Sequence, residues 1–374
     1  MQGQEAENDM QNLKLAEILE KAKAESMLSH EDILRLLKTT EDQFGCVAQV
    51  ARELREKYFQ NKIFLYGFLY FSTFCKNDCT FCLYRKSNHS YRRYRKDRAE
   101  IIAAARALAD SGVHLLDLTM GEDPLYHNTP QGFDELLQTV REIKRETQTP
   151  VMLSPGIVSP DVLQKFKAAG VDWYACYQET HNRTLYNRLR IGQSYDERMG
   201  QKSLARAMGY LTEEGILTGV GDTHEDIAAS ILTMKRMEAA QVRVMSFVPQ
   251  ENTPLAGWKT GSHFRELLII AIMRLVMPDR LIPASLDVDG LRGLEQRLNS
   301  GANVVTSIIP PAAGLAGVSQ SSRDIADGNR SLEKIIPILN RMHLEPATRL
   351  EYQAWLESWP AHPACSAKGA VQCG

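Results

Sequence analysis

The sequence has no long apolar run. Its most hydrophobic segment, residues 267–277, is interrupted by Arg274 and falls far short of the roughly 20 residues a membrane helix needs, so no membrane association is expected. It has no surplus of one charge. Lys plus Arg at 44 against Asp plus Glu at 46 leave a formal net charge of −2, too balanced to draw a polyanion, and a nucleic-acid partner is not expected. The first ten residues are polar and acidic, with neither a basic leader nor the apolar stretch of a secretory signal, so export is not expected. No internal repeat or long low-complexity segment stands out. Nor is there a disulfide framework: the cysteines number seven, and Cys46, Cys176, Cys365 and Cys373 are scattered. Together these absences predict a soluble cytoplasmic protein, taken to be a monomer.

What the sequence does have is enough apolar material, 44% of 374 residues, to fill a substantial core. Residues 13–60 place apolar side chains at helical spacing, with Leu34, Leu37, Val47, Val50 and Leu54 separated by charges, and read as a helical preamble. Beyond it, short apolar runs alternate with amphipathic stretches. The runs are 63–70, 115–118, 151–153, 173–177, 216–218, 242–247, 281–284 and 304–308. The intervening helices are expected at 98–109, 133–144, 161–169, 202–214, 227–239, 264–277 and 290–299. Eight strands alternating with helices predict a parallel sheet closed into an α/β barrel, a (β/α)8 TIM barrel. The expected organisation is an N-terminal helical extension over 1–60, the barrel over 61–310, and a C-terminal helical extension and tail over 311–374. That last part holds helices at 332–342 and 349–355 and a frayed end from 360.

In such a barrel the chemistry sits at the carboxyl ends of the strands. Polar residues follow the apolar runs there: Asp117 with Gly121-Glu122-Asp123, Ser154, Gln178-Glu179, Gln250, Ser285 with Asp287, and Thr306-Ser307. Loops are polar in any case, but recurrence after nearly every strand points to a site.

Three cysteines crowd the loop after the first strand, Cys75, Cys79 and Cys82, with Phe81 just before the last. Three thiolates can hold three corners of a four-iron, four-sulfur cubane and leave the fourth iron open to an outside ligand. A structural zinc site wants a second pair of Cys or His ligands, and only His89 is near.

The Cys-x3-Cys-x2-Cys spacing resembles the radical S-adenosylmethionine superfamily. Further stretches are similar to its methylornithine synthase family: 70–77 (YFSTFCKN), 117–124 (DLTMGEDP), 177–180 (YQET), 215–221 (GILTGVG), 242–245 (VRVM), 249–250 (PQ), 280–287 (RLIPASLD) and 301–307 (GANVVTS). The similarity spans roughly 34–310. It implies a 4Fe-4S cluster on the three cysteines, S-adenosyl-L-methionine bound at the open iron, and a carbon-skeleton isomerisation of L-lysine to (3R)-3-methyl-D-ornithine in pyrrolysine biosynthesis. The route implied is hydrogen abstraction by a deoxyadenosyl radical, fragmentation and recombination, with a reductant such as flavodoxin or ferredoxin supplying the electron.

For the substrate the resemblance points to Asp117, Ser154, Arg243, Ser285, Asp287, Thr306 and Ser307. An amino acid with two amines and one carboxylate suits them: the Arg243 fork can bind a carboxylate bidentately, and Asp117 and Asp287 can pair with ammonium groups. For S-adenosylmethionine it points to Tyr177, Glu179, Arg190, Arg198, Val248 and Gln250, where Val248 replaces a leucine of the family. It also puts Gly121-Glu122-Asp123 where the methionyl amine is received. An arginine inside an apolar strand is costly unless a ligand or a carboxylate neighbour compensates it; for Arg243 the ligand is favoured. The rival readings are a biotin synthase or hydrogenase-maturation enzyme, or an iron-sulfur sensor that lost its chemistry. The first of these needs a second ligand set for its sulfur-donating cluster, which Cys176 alone cannot supply.

Overall fold

Runs of β-branched and aromatic residues become the wall of a barrel. In this computed structural model, which describes residues 2–129, 131–310, 314–318 and 330–359, eight strands lie parallel: β1 Lys62–Ser72, β2 Leu115–Met120, β3 Val151–Ser154, β4 Trp173–Ala175, β5 Leu211–Thr218, β6 Gln241–Ser246, β7 Pro283–Ser285 and β8 Val304–Ile308. Their order around the sheet is β6-β5-β4-β3-β2-β1-β8-β7, which leaves β6 and β7 to close the ring. They meet at a single bridge, Gln241 to Leu281, where Val242 N–H donates to the Leu281 carbonyl and Leu281 N–H to that of Ala240. The ring is therefore clasped at its amino end, and the carboxyl ends of these two strands make no further ladder.

Each expected strand is present, but the fifth starts earlier than its apolar run. Residues 202–214 do not form one helix. The helix runs Tyr195–Ala207, capped by Ser194, whose hydroxyl accepts from Glu197 N–H, and the chain turns into β5 at Leu211. Thr212, Glu213 and Glu214 disguise the strand because charges are rare in a wall buried on both faces, and all three are buried. The helix from Arg98–Ser111 shows how local signals set the ends elsewhere. Asp97 and Glu100 form a reciprocal capping box, and Gly112 at φ 101° ends it in the left-handed region that glycine alone adopts freely.

The preamble is three helices, Gln2–Lys23, His30–Leu36 and Phe44–Phe59, of which the third packs on His263–Val276. That last helix holds the apolar run broken by Arg274. Its buried guanidinium donates to the carbonyls of Gly301, Pro278 and Arg280 and to Asn303 Oδ1, so the charge ties loops together. Among the described residues no helix is long and apolar enough to cross a membrane.

The amino end of the barrel is plugged. The C-terminal helix Arg349–Ser358 lays Trp355 on Trp173 with ring centroids 5.9 Å apart and planes 8° from parallel, and Tyr352 shares a 2.9 Å hydrogen bond with Tyr66. Short strand Glu345–Pro346 joins the start of β1. The carboxyl end is left open, and there a cavity opens within the ring of strands. The expected frayed end from 360, with Cys365 and Cys373, lies outside the described residues.

Candidate active site

The cavity at the carboxyl ends of the strands is lined by Cys75, Cys79 and Cys82 on one side and by Asp117, Ser154, Arg243, Ser285, Asp287 and Ser307 on the other. Tyr177, Glu179, Arg190, Arg198, Val248 and Gln250 line it between them. Of the sixteen residues assigned to the cluster, the substrate and S-adenosylmethionine, the Gly121-Glu122-Asp123 turn aside, fifteen thus meet in one space. The exception is Thr306. It is buried and its hydroxyl has no partner, but it does not line the cavity. Its neighbour Ser307 does, at φ 65°. The hydroxyls of Ser285 and Ser307 lie 3.4 Å apart.

The cluster loop is shaped by close approach. A Cβ on Gly121 would stand 2.3 Å from the carbonyl oxygen of Phe74, and one on Gly156 would stand 2.1 Å from the Glu122 side chain, so both glycines let the loops after β1, β2 and β3 converge. Within Gly121-Glu122-Asp123 the two acids divide. Glu122 lines the cavity, accepting from Arg198 at 3.3 Å. Burial opposes its charge, but Arg198, His127 and Lys76 hold its carboxyl below the usual range. Asp123 is turned away and fully buried, taking Ser72 Oγ at 2.5 Å and Arg95 through Nε and Nη2 at 2.6 and 2.8 Å. It pins the loop and does not reach the cavity.

Arg190 and Arg198 are buried, not solvated. Arg190 donates to Glu179 Oε1 at 2.6 Å and to the Tyr177 carbonyl at 3.1 Å, and lies 3.6 Å from Cys79 Sγ. Arg198 donates through Nε to the same carbonyl at 2.7 Å. The turn they grip is strained, with Glu179 at φ 67°, a conformation that persists in a non-glycine residue only where its surroundings enforce it.

At the cavity floor, Asp117 accepts from Thr119 Oγ1 at 2.8 Å and Ser154 Oγ at 3.4 Å. Burial and the neighbouring Glu213 push its carboxyl up to about 7. Arg243 resolves the sequence alternative in an unexpected way. It lines the cavity and also has a carboxylate neighbour, Glu213, whose Oε1 accepts from its Nε at 2.7 Å. Glu213 was missed in the sequence because it sits among polar residues read as a helix end. Asp287 is already engaged: it accepts from Arg330 and from Val318 N–H, each at 3.1 Å.

The donor set fits the groups the sequence implied. Cys75, Cys79 and Cys82 are free thiols beside one another. Burial pushes Cys75 up to about 11 and Cys82 higher still, so cationic irons are what would draw thiolates there. The three thiols come from one loop and line one side of the cavity, where they suit the separate corners of a cluster. Two buried polar atoms next to them, Glu179 Oε2 and Arg190 Nε, have no partner, which suits a polar ligand seated between cluster and floor.

Comparison with known proteins places these features in a family. Residues 69–234 match the model of the radical SAM superfamily. The chain is 44% identical to the 3-methylornithine synthase of Methanosarcina acetivorans, over 88% of its own length and 93% of that protein's. It is 31% identical to the [FeFe] hydrogenase maturase subunit HydE of Thermotoga maritima, over 77% and 82%. A crystal structure of a methylornithine synthase superposes with a TM-score of 0.85 at 40% identity, covering 90% of this chain and 99% of that one. The hydrogenase maturase HydG, at 21% identity and a TM-score of 0.78, shares the fold. The chain belongs to the methylornithine synthases, a family of the radical SAM superfamily.

Proposed function

We propose that the chain isomerises L-lysine to (3R)-3-methyl-D-ornithine in pyrrolysine biosynthesis, drawing its electron from a carrier such as flavodoxin or ferredoxin. The observation that carries the reading is the floor of the cavity, where a buried carboxylate, Asp117, and a buried guanidinium, Arg243, face the same space as the three thiols. An aliphatic amino acid with an ammonium at each end and one carboxylate matches that pairing.

When bound, the cluster and S-adenosylmethionine supply a carbon radical able to take hydrogen from an unactivated carbon. Everything else falls to the protein. Cys75, Cys79 and Cys82 would hold the irons. Tyr177, Glu179, Arg190, Arg198, Val248 and Gln250 form the station for S-adenosylmethionine, with Arg198 and Glu122 at its polar end. Arg243 receives the substrate carboxylate and Asp117 an ammonium, aligned by Thr119 and Ser154. Ser285 and Ser307 add hydroxyls opposite. Asp287, held by Arg330, contributes from the segment above. The plug of Trp355, Tyr352 and Trp173 keeps water from entering through the amino end, which protects a reactive species. Described cysteines are all free thiols, as expected in a reducing cytoplasm.

The test is anaerobic incubation of reconstituted protein with S-adenosylmethionine, dithionite and isotopically labelled L-lysine, followed by chiral mass spectrometry. Labelled 3-methylornithine is the expected product. Deoxyadenosine without it would keep the radical chemistry and reject lysine as the substrate.

A further inference from the structure

Two adjacent residues of β5 carry buried carboxylates to opposite sides of the barrel wall. Glu214 meets Lys202 of the helix outside. Glu213 has no exposed surface and does not line the cavity, but lies directly behind residues that do. Its two oxygens serve different groups. Oε1 accepts from Arg243 Nε and Oε2 from the Tyr177 hydroxyl, both at 2.7 Å. The Arg243 guanidinium stands 5.6 Å over the Tyr177 ring, so the three side chains form one packed unit.

This unit joins two halves of the site. Tyr177 belongs to the cofactor station and Arg243 to the floor. Engaging Nε fixes the plane of the guanidinium, and a planar fork held in one orientation loses less freedom on meeting a carboxylate than a swinging one. The pairing also settles charge. With Asp117 and Glu213 around one Arg243, the ionised floor holds one more negative than positive charge, which disfavours a plain anion and favours a carboxylate that brings an ammonium with it.

We propose that Glu213 is a positioning residue for substrate recognition: it orients Arg243 toward the substrate carboxylate and holds the Tyr177 hydroxyl in the same grip. The proposal rests on the reading that Arg243 receives an amino-acid carboxylate. Arg243 would be the group that touches substrate; Glu213 acts through it.

The test uses reconstituted holoenzyme with S-adenosylmethionine and an oxidised cluster, so that binding is read without turnover. Affinities for L-lysine and for lysinamide, which lacks the carboxylate, are measured calorimetrically in the wild type, Arg243→Gln, Glu213→Gln and the double variant. The expected result is a wild-type preference for lysine that shrinks at least tenfold in each single variant, with the double variant no worse than Arg243→Gln alone. Glu213→Gln preserves size and shape; should it fail to fold, Glu213→Asp keeps the charge, cannot reach both partners, and is expected to lose part of the preference. Under turnover, KM for lysine should rise more than kcat falls. The acidic limb of the pH profile should move to lower pH in Glu213→Gln, because a negative charge beside Asp117 is gone; the preference for lysine over lysinamide is the readout that a merely structural role would leave in place. Retention of the full lysine preference in Glu213→Gln, while Arg243→Gln loses it, overturns the proposal. Retention in Arg243→Gln overturns the underlying carboxylate reading, and the proposal with it.

Discussion

Asp117 is the residue whose protonation most directly couples the cavity to solution. Its carboxyl stands at about 7 against an ordinary value of 3.8, chiefly through burial and then through Glu213. The folded protein therefore keeps a proton that the unfolded chain releases, and stability from this group declines as pH rises from near 4 and is gone above 7. The gap corresponds to roughly 4 kcal/mol at most. Asp117→Asn should accordingly raise the urea midpoint of the ligand-free protein at pH 8, with a gain that narrows toward pH 5; equal midpoints of mutant and wild type at pH 8 would count against this account. The same substitution should cut kcat/KM for lysine by at least about a hundredfold, since an ammonium that loses a buried carboxylate loses a charge-assisted hydrogen bond. Asp117 was legible in the sequence as a lone acid in the apolar run 115–118. The choice between Thr306 and Ser307 was not, because alternation along a strand is broken by the left-handed backbone at Ser307, which no residue type other than glycine advertises. Asp123 shows the converse: a motif identifies a place, but only packing tells which of two neighbouring acids faces the cavity.

At the scale of elements, β5 and the helix Tyr195–Ala207 form the unit that carries the proposed S-adenosylmethionine station. Lys202 is buried against Glu214 and also donates to Gln178 Oε1 at 2.9 Å, while Glu214 Oε1 accepts from the backbone of Gln178 at 2.8 Å and Gly215 at 2.9 Å. Two charges thus hold the turn that carries Tyr177 and Glu179. Lys202→Met leaves Glu214 uncompensated and should cost about 3–5 kcal/mol in urea unfolding, with weaker S-adenosylmethionine binding as well. Adding Glu214→Gln should recover part of the stability, and no recovery would mean that the pair is not the cause. Here the sequence was hardest to read. Hydrophobic periodicity finds strands buried in apolar surroundings, and it marked all eight, the fifth only over its last three residues. The first half of β5 carries two buried acids, Glu213 paired with Arg243 of β6 and Glu214 with Lys202 of the helix before it, so its pattern looked like the end of that helix. The helix itself presents Arg198, Gln201 and Lys202 inward, the reverse of the usual amphipathic order, because what it packs against is a site and not a core.

Over the whole molecule, order of elements was the most legible property and closure the least. Eight runs count strands; they do not say how the first and last of the sheet meet. The plug at the amino end makes one prediction at this scale. Trp355→Ala removes the ring stacked on Trp173 and should cost about 3–5 kcal/mol, measured by thermal or urea unfolding, with the iron content of reconstituted protein unchanged because the thiols lie at the other end. Loss of iron binding in the folded variant would show that the two ends are not independent. The clasp between β6 and β7 carries a different consequence. A ring held shut by one bridge is mechanically an arc, free to spread at the edge that bears Met245, Phe247 and Ser285 while the other seams stay shut. In deuterium-exchange experiments the amides of Val242 and Leu281 should therefore take up label before those of β1 and β2, and a bound amino acid spanning Arg243 and Ser285 should slow them by stitching the arc closed from within.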